Sequence, residues 1–379
     1  MKILQICDTL SVANGGPARN SFELNRALNN IDGITVDLVW IRGHQGESVL
    51  TGESLPAPSS ALPGPRKLVF SRGPSVKRSI GLASLARALR ASDAVIIHGF
   101  YLPWVPLVLS AATLLGKNVF LMPHGALTAY ETARGARKKA LFRRTIYRLF
   151  RRRLRAFAVG SDDEARDASA LLPGVPAVTC GVGTAIVERP PARDTFKPLR
   201  LLTLCRLAQK KRVDVSILAL AALMRSGVDA RLTIAGTGPE RASLERLAHA
   251  EGVAERVDFV GQVAGRSKDD LYRGSDVFVL ASEDENFGIV VAEALAHGLP
   301  TVASRHVQSA ALAAHSPAVE LIDAPDADLV AAAVINLLAN DYPLLQEAAV
   351  TVARREYSWD SVGMRWVAMI LSAARSDVV

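Results

Sequence analysis

Apolar residues recur along the chain in short runs of strand length, and segments with helical spacing separate these runs. Residues 2–8, 93–99 and 119–124 are typical of strands that are buried on both faces. Residues 17–30 and 103–115 have the periodicity of helices. Alternation of this kind predicts a parallel sheet covered by helices.

The pattern restarts after residues 184–198, a segment whose prolines at 190, 191 and 198 give it the composition of a linker. A length of 379 residues suits two domains. We therefore expect an α/β protein of two doubly wound, Rossmann-like domains that face each other across a cleft. The predicted boundaries are 1–183 and 199–358, and a final helix over 359–379 is expected to return to the first domain. In such sheets ligands bind beyond the carboxyl ends of the strands.

The composition is that of a globular protein, with 49% hydrophobic and 22% charged residues. The strongest membrane-span candidate, 102–115, contains two prolines and is shorter than the about 18 apolar residues that a span requires. Residues 1–8 enter a strand pattern directly, so no secretory signal and a cytoplasmic location are expected. Three cysteines without C-x-x-C spacing indicate neither a disulfide framework nor a zinc site.

The net charge of +8 comes from one segment, because residues 134–155 contain eleven Lys or Arg and no acidic residue. Apolar residues at helical spacing, from Leu141 to Leu154, predict an amphipathic helix. These residues would form its apolar face, and the Lys and Arg residues would form a broad cationic face. Such a face suits an anionic membrane, where each basic residue contributes about 1 kcal/mol. The expected docking residues are Arg137, Lys138, Arg144, Arg148 and Arg152. We expect peripheral attachment to the inner face of the plasma membrane.

One other interpretation of the basic segment stays open. A solvated helix that only aids solubility would have the same composition. Nucleic-acid binding is not expected, because no aromatic stacking platform or known binding motif accompanies the charge.

The segment 275–304 contains the strongest chemical signal. Glu285 and Glu293 flank a turn between a strand pattern over 276–281 and a helix pattern over 289–297. At the turn, Asn286, Phe287 and Gly288 would place backbone N–H groups at a helix N-terminus, which favours a diphosphate. Because a carboxylate would repel phosphate, the two glutamates are expected to accept hydrogen bonds from hydroxyl groups of a sugar and a ribose.

The spacing of Glu, seven residues and Glu within ENFGIVVAEALAHGLP resembles the signature of retaining glycosyltransferases of family 4, which have the GT-B fold. The resemblance implies that Arg206 and Lys211, which follow the first strand pattern of the second domain, hold the donor phosphates. Cations fixed there would stabilise the charge on a departing diphosphate. The family has Gly after this Lys, whereas the chain has Arg212, so a different loop backbone is expected.

Further residues resemble family positions. Gly15 and Gly16 follow the first strand and are implied to border the donor diphosphate, and Gly236 is implied to lie beside the nucleotide. Two strand patterns end in His-Gly, at His98 and His124. His124 resembles the active-site histidine beside the transferred sugar, where a hydrogen bond to a sugar hydroxyl and a base role are both chemically possible. For His98 a structural role is favoured.

The resemblance implies a retaining transfer of a hexose-type sugar from a nucleoside diphosphate sugar to a glycan or lipid-linked acceptor, in bacterial cell-surface polysaccharide synthesis. No cofactor and no metal are expected, because the Asp-x-Asp at 326–328 begins a helix, where Asp is a natural capping residue. Two alternatives stay open, a GT-B sugar-nucleotide epimerase and a non-catalytic nucleotide-sugar-binding scaffold.

Overall fold

The computed structural model describes residues 1–11, 16–41, 82–133, 136–150, 153–187 and 197–375. The chain forms two compact units. Unit 1 comprises Met1–Gly183 with Trp359–Val379, and unit 2 comprises Thr184–Ser358. Gly15 and Arg152 lie outside the described residues, and so do residues 43–75, whose Gly, Pro and Ser content predicts a long loop. The side chain of Arg148 and most of the predicted linker also lie outside them.

Unit 1 is a six-stranded parallel sheet with strand order β2-β1-β3-β4-β5-β6. Its central strands are apolar and buried on both faces, as helices on both sides require. The elements are β1 (Lys2–Cys7), α1 (Gly16–Asn29), β2 (Thr35–Trp40), α2 (Leu82–Arg90), β3 (Ala94–His98), α3 (Val105–Leu114), β4 (Asn118–Met122), α4 (Ala129–Ala133), α5 (Ala136–Phe150), β5 (Leu154–Val159), α6 (Asp162–Leu171) and β6 (Ala177–Thr179).

Unit 2 is a second six-stranded parallel sheet, with strand order β12-β11-β10-β7-β8-β9. The elements are β7 (Leu199–Leu204), α7 (Val213–Arg225), β8 (Ala230–Ala235), α8 (Arg241–Ala250), β9 (Val257–Gly261), α9 (Arg266–Gly274), β10 (Val277–Leu280), α10 (Ile289–Ala296), β11 (Thr301–Ser304), α11 (Gln308–Leu312), β12 (Val319–Ile322), α12 (Ala327–Leu338) and α13 (Tyr342–Tyr357). The predicted fold class of α/β with two parallel sheets is confirmed.

The order of strands reverses in each sheet, and this reversal positions the candidate sites. In unit 2, β7 lies between β8 and β10, so the chain leaves β7 and β10 on opposite faces of the sheet. In unit 1 the same reversal occurs at β1, which lies between β2 and β3. Crevices that bind ligands form at the carboxyl ends of strands at such points.

The last helix, α14 (Trp359–Arg375), belongs to unit 1 and packs against α1 and β5. Its Trp366 is completely buried, and Arg365 donates from Nε to the carbonyl oxygen of Cys180 over 2.9 Å.

Among the described residues no single helix is both long and apolar enough to cross a bilayer; α12 and α13 meet that criterion only as a pair bent by 106°.

The structure corrects the interpretation of the basic segment. The helix α5 ends at Phe150, and Leu154 begins β5 rather than extending the apolar face of the helix. Leu141 is 69% exposed, so it does not pack into the core as its spacing predicted. The helix is therefore shorter, and its surface more apolar, than the sequence pattern indicated.

Polar side chains cap two helices at their N-termini, and the cap at Asp326 is the one predicted above. Ser161 begins α6, and its side chain accepts a hydrogen bond from the backbone N–H of Glu164 at 3.2 Å. Asp326 begins α12 and accepts from the N–H groups of Asp328 and Leu329 at 2.9 and 3.0 Å.

Gly236 lies where the loop that follows β8 contacts the loop that follows β7. Its φ is +134°, and a Cβ atom there would lie 1.9 Å from the carbonyl oxygen of Cys205. We predict that Gly236→Ala destabilises unit 2 by about 3 kcal/mol or more, because it adds backbone strain to a steric overlap. Thermal unfolding should show a melting temperature lower by at least about 5 °C.

Gly274→Ala is the matched control, since a Cβ atom at this helical position meets nothing within 4 Å. It should leave the melting temperature unchanged or raise it slightly. An equal loss of stability in both variants would contradict the account of Gly236.

Candidate functional site

In unit 2 the loops after β7 and β10 meet at the carboxyl end of the sheet. The backbone N–H of Glu283 donates to the carbonyl oxygen of Lys210 at 2.9 Å, and Ser282 Oγ donates to the same oxygen at 3.0 Å. These bonds join a short 3₁₀ turn, Gln209–Lys211, to the segment that contains Glu285. Residues separated by 74 positions in the sequence are thereby brought into contact.

Lys211 and Glu285 form an ion pair at this junction. Both side chains are largely shielded from solvent, with 12% and 20% of their surface exposed. Burial lowers the pKa of Lys211 to about 8, so its ammonium group is still mainly protonated at neutral pH. The structure thus brings two of the predicted catalytic residues together.

Lys210 takes a different partner from its neighbour. Its Nζ lies 2.7 Å from Asp284 Oδ2, and both side chains are more than one third exposed. An exposed pair of this kind contributes at most about 1 kcal/mol. Of the two adjacent lysines, Lys211 is therefore the one that faces the buried side of the junction.

Arg212 stands where the resemblance implies a glycine, and it adopts a left-handed backbone conformation with φ of 48° and ψ of 45°. Glycine adopts this conformation without strain, so the replacement does not force the different loop backbone that the sequence suggested. The guanidinium group binds Asp214 at 2.9 Å and Glu283 at 2.8 Å. Arg212 therefore braces the two loops against each other.

Arg206 lies two residues after the end of β7 and is exposed. Among the residues that the structure describes, its side chain has no hydrogen-bond or ion-pair partner. An exposed, unpaired guanidinium close in sequence to Lys211 is available to bind an anion.

The turn before α10 is fixed by tertiary contacts. Gly288 caps the helix with a φ of +80°, and its carbonyl oxygen accepts from Ser309 Oγ at 2.8 Å. The Phe287 ring is buried and packs edge-to-face against Tyr357. Asn286 Oδ1 is buried and has no hydrogen-bond partner among the described residues. The main chain of this turn and the Asn286 amide are thus the parts that can contact a ligand.

Glu293 on α10 is only 8% exposed and already has two partners. Lys268 Nζ lies 2.5 Å from Oε1, and the Tyr272 hydroxyl donates to Oε2 at 3.0 Å. The His297 ring stacks on Tyr272, and its Nδ1 lies 2.7 Å from the Glu293 carbonyl oxygen, as a helix cap would. A carboxylate can accept about four hydrogen bonds, so Glu293 retains capacity for ligand hydroxyls.

Unit 1 contains a cavity of about 270 Å³ beside the carboxyl ends of β1 and β3. His98 and His124 line it, and their rings stack with centroids 5.1 Å apart. His98 is buried, whereas His124 is partly exposed. Desolvation lowers the pKa of His124 to about 4, so this imidazole is neutral at physiological pH. Gly16 begins α1 next to open space, since a Cβ atom there would meet nothing within 4 Å.

The basic face of α5 in unit 1 exposes Arg137, Lys138 and Arg144. The neighbouring helix α3, which contacts α5, exposes 54% of Leu107 and 87% of Leu114.

Within the described parts of the chain, no group of three or more His, Cys, Asp or Glu side chains is arranged to hold a metal ion.

Several residues at these sites carried no recognisable sequence signal. Lys268 and Tyr272 reach Glu293 from α9, and the contact between His98 and His124 depends on which strands are neighbours. Glu164 is another such residue, since its carboxylate accepts from the backbone N–H of Gly125 at 2.6 Å. The repeated His-Gly endings of two strand patterns were the one clue to the histidine pair.

Comparison with known proteins agrees with this arrangement. A family model described as glycosyl transferases group 1 matches residues 190–355, and one described as a glycosyl transferase 4-like domain matches residues 15–183. Together they account for most of the chain, and they confirm the predicted family.

Two relatives from Mycobacterium tuberculosis match parts of the chain. A GDP-mannose-dependent alpha-(1-6)-phosphatidylinositol dimannoside mannosyltransferase is 47% identical over 107 residues, which are 28% of this chain and 27% of the relative. The corresponding monomannoside mannosyltransferase is 31% identical over 173 residues, 44% of each protein. The chain thus spans less than half the length of these curated relatives.

Solved structures share the fold over nearly the full chain. The Anabaena protein Alr3699/HepE in complex with UDP has a TM-score of 0.69 at 14% identity and covers 98% of this chain and 100% of its own. Sucrose-phosphate synthase from Thermosynechococcus elongatus has a TM-score of 0.64 at 17% identity, with coverage of 99% and 100%. From the two family matches and these folds, we conclude that the chain belongs to the group 1 glycosyltransferases of family 4 and has the GT-B fold.

Proposed function

We propose that the chain is a retaining glycosyltransferase that moves a hexose-type sugar from a nucleoside diphosphate sugar to a glycan or lipid-linked acceptor, in cell-surface polysaccharide synthesis. The observation that carries the proposal is the Lys211–Glu285 ion pair at the junction of the β7 and β10 loops, with the unpaired Arg206 close by in sequence. A buried cation beside an exposed one suits a diphosphate, and a carboxylate at the same place suits sugar hydroxyls.

In the proposed reaction, the bond between the anomeric carbon and the phosphate oxygen breaks while the acceptor hydroxyl attacks the same face of the sugar. The acceptor proton passes to the departing phosphate. Arg206 and Lys211 stabilise the charge that accumulates on the diphosphate, and the first turn of α10 adds its helix dipole. Glu285 and the buried Oδ1 of Asn286 bind sugar hydroxyls, and Glu293 binds the ribose.

The donor is proposed by analogy with the relatives. The two mycobacterial relatives are named as GDP-mannose-dependent, which makes GDP-mannose the first donor to test. A structural relative was solved with UDP, so UDP sugars form the second group. The mannosyl relatives act on phosphatidylinositol mannosides, and this supports a lipid-linked acceptor for the present chain.

The first prediction from the proposed function concerns the junction of the two loops. Lys211→Met and Arg206→Met should each lower kcat/KM for transfer by about 10² to 10³, because each removes a cation that faces the leaving diphosphate. Glu285→Ala should abolish measurable transfer. Steady-state kinetics with a radiolabelled donor sugar measures all three, and circular dichroism verifies that the variants are folded.

Lys210→Met is the matched control, since it removes an adjacent lysine whose ion pair is exposed. Its kcat/KM should stay within about threefold of the parent. Full activity of Glu285→Ala or Arg206→Met would refute the proposed site. Conversion of the donor in the absence of any acceptor would instead favour an epimerase.

The second prediction concerns nucleotide binding. In a thermal-shift panel of GDP, UDP and ADP, the cognate nucleotide at 100 times its Kd should stabilise the protein by about 2.7 kcal/mol. Its affinity should fall as the pH rises through about 8, because Lys211 then loses its charge. Isothermal titration calorimetry between pH 6.5 and 9.5 measures this change.

Lys211→Arg should remove the pH dependence, because a guanidinium stays protonated over this range. An affinity that is constant with pH in the parent protein would show that Lys211 does not contact the phosphates.

The third prediction concerns membrane docking through α5. Vesicles that contain anionic lipid should sediment the protein, and vesicles of neutral lipid should not, because the exposed cations of α5 supply the attraction. Replacing Arg137, Lys138 and Arg144 with Gln should weaken binding about 100-fold, at about 1 kcal/mol for each charge.

A control variant removes the same charge from exposed positions of unit 2, with Gln at Arg231, Arg246 and Arg266. It should bind the vesicles as the parent does. Equal losses in the two triple variants would indicate a general effect of net charge rather than docking through α5.

A further inference from the structure

An unbroken chain of hydrogen bonds leads to His124 from the interior of unit 1. Gln5 Nε2 donates to the carbonyl oxygen of Ser21 at 2.7 Å and lies 2.7 Å from His98 Nε2. His98 Nδ1 in turn lies 2.9 Å from His124 Nε2. Gln5 is completely buried and His98 is 3% exposed, so solvent cannot replace either partner.

The Ser21 carbonyl sets the direction of this chain, because a carbonyl oxygen can only accept. The nitrogen of the Gln5 amide must therefore face it, and the second hydrogen of that nitrogen points to His98 Nε2. The opposite amide orientation would place two oxygens 2.7 Å apart. The observed orientation instead leaves Gln5 Oε1 buried and without a partner among the described residues. The two hydrogen bonds that Gln5 Nε2 donates offset the free-energy cost of this buried oxygen.

The direction at Gln5 fixes the tautomer of both histidines. Because His98 Nε2 accepts from Gln5, the proton of the neutral imidazole is on Nδ1, which donates to His124 Nε2. His124 Nε2 then serves as an acceptor, so its own proton is on Nδ1. Desolvation lowers the pKa of His98 as well, and the neighbouring His124 lowers it further, so neither ring is charged at neutral pH.

The main chain of His124 is held separately. Its φ of +53° is rare for a residue with a side chain, and the following Gly125 donates its N–H to Glu164 at 2.6 Å. Glu164 is 1% exposed and also accepts from the N–H of Gly160 at 3.1 Å. A buried carboxylate with such partners fixes the turn that presents the imidazole.

His124 Nδ1 has no hydrogen-bond partner among the described residues. His124 lines the 270 Å³ cavity together with the polar residues Asp8 and Thr9 and the apolar residues Phe100 and Leu102. His124 Nε2 is occupied by His98, so a ligand could reach only Nδ1, which in this tautomer carries a proton and offers no lone pair.

We propose that Gln5 and His98 are positioning residues that hold His124 as its Nδ1–H tautomer, so that His124 donates a hydrogen bond to a ligand oxygen and does not act as a general base. The inference rests on the proposed function, because it is the resemblance to the glycosyltransferase family that implies a role for His124 beside the transferred sugar. It decides between the two roles that the sequence left open, because a base would need an unprotonated nitrogen that faces the ligand.

The kinetic test uses variants that remove or preserve the donation to His124. His98→Leu and Gln5→Met should lower kcat by at least about tenfold, with the KM for the donor sugar within about threefold of the parent. His98→Asn should retain several-fold more activity than His98→Leu, since the Asn amide nitrogen can take the place of ring Nδ1. Equal kcat in His98→Leu and the parent would overturn the proposal.

The direct test reads the tautomer in the protein without substrate. Long-range ¹H–¹⁵N correlation spectra of ¹⁵N-histidine-labelled protein should show His124 protonated on Nδ1 in the parent, and a mixture of tautomers in Gln5→Met. A parent protein with His124 protonated on Nε2 would overturn the proposal even if every variant misfolds. If the expected tautomer is found but no donor sugar is transferred, the positioning role is supported and the proposed function fails.

Discussion

The ion pair between Lys211 and Glu285 is the contact on which the candidate donor site of unit 2 depends. It exists because β7 and β10 are neighbours in the sheet, although 72 residues lie between the end of β7 and the start of β10 in the sequence. At the opposite ends of the same strands, the buried Asp276 accepts from the backbone N–H and the guanidinium of Arg200 at 2.8 and 3.1 Å. The two strands are therefore tied at both ends, which holds the Lys211 and Glu285 loops in register.

Among the described residues around this junction, most charged side chains are paired, and Arg206 is left available. Lys210, Lys211 and Arg212 bind Asp284, Glu285 and Glu283 respectively, and Arg206 has no partner among the described residues. A diphosphate could bind Arg206 directly and compete with Glu285 for Lys211. Glu285 would then be free to accept from a sugar hydroxyl. Binding of the donor and alignment of its sugar would thus be linked through the same lysine.

The sequence predicted the elements well because their signals are local. Strands such as β3 and β10 are apolar runs buried on both faces, and the Ser161 and Asp326 caps follow from the preference of those side chains for helix N-termini. The resemblance to the family singled out Glu285, Arg206 and Lys211, and the structure brings Lys211 and Glu285 into contact. The limits of α5 were wrong, because Leu154 suits a buried strand as well as an amphipathic helix.

The partners of these residues could not be predicted, because they depend on which strands are neighbours and on side-chain geometry. No spacing rule relates Gln5 to His98, or Lys268 to Glu293.

The most direct measurement of the central claim is a crystal structure with a bound nucleoside diphosphate sugar. The account predicts that Arg206 and Lys211 contact the diphosphate and that Glu285 contacts the sugar. A diphosphate bound away from both cations, with Lys211 still paired only to Glu285, would contradict it.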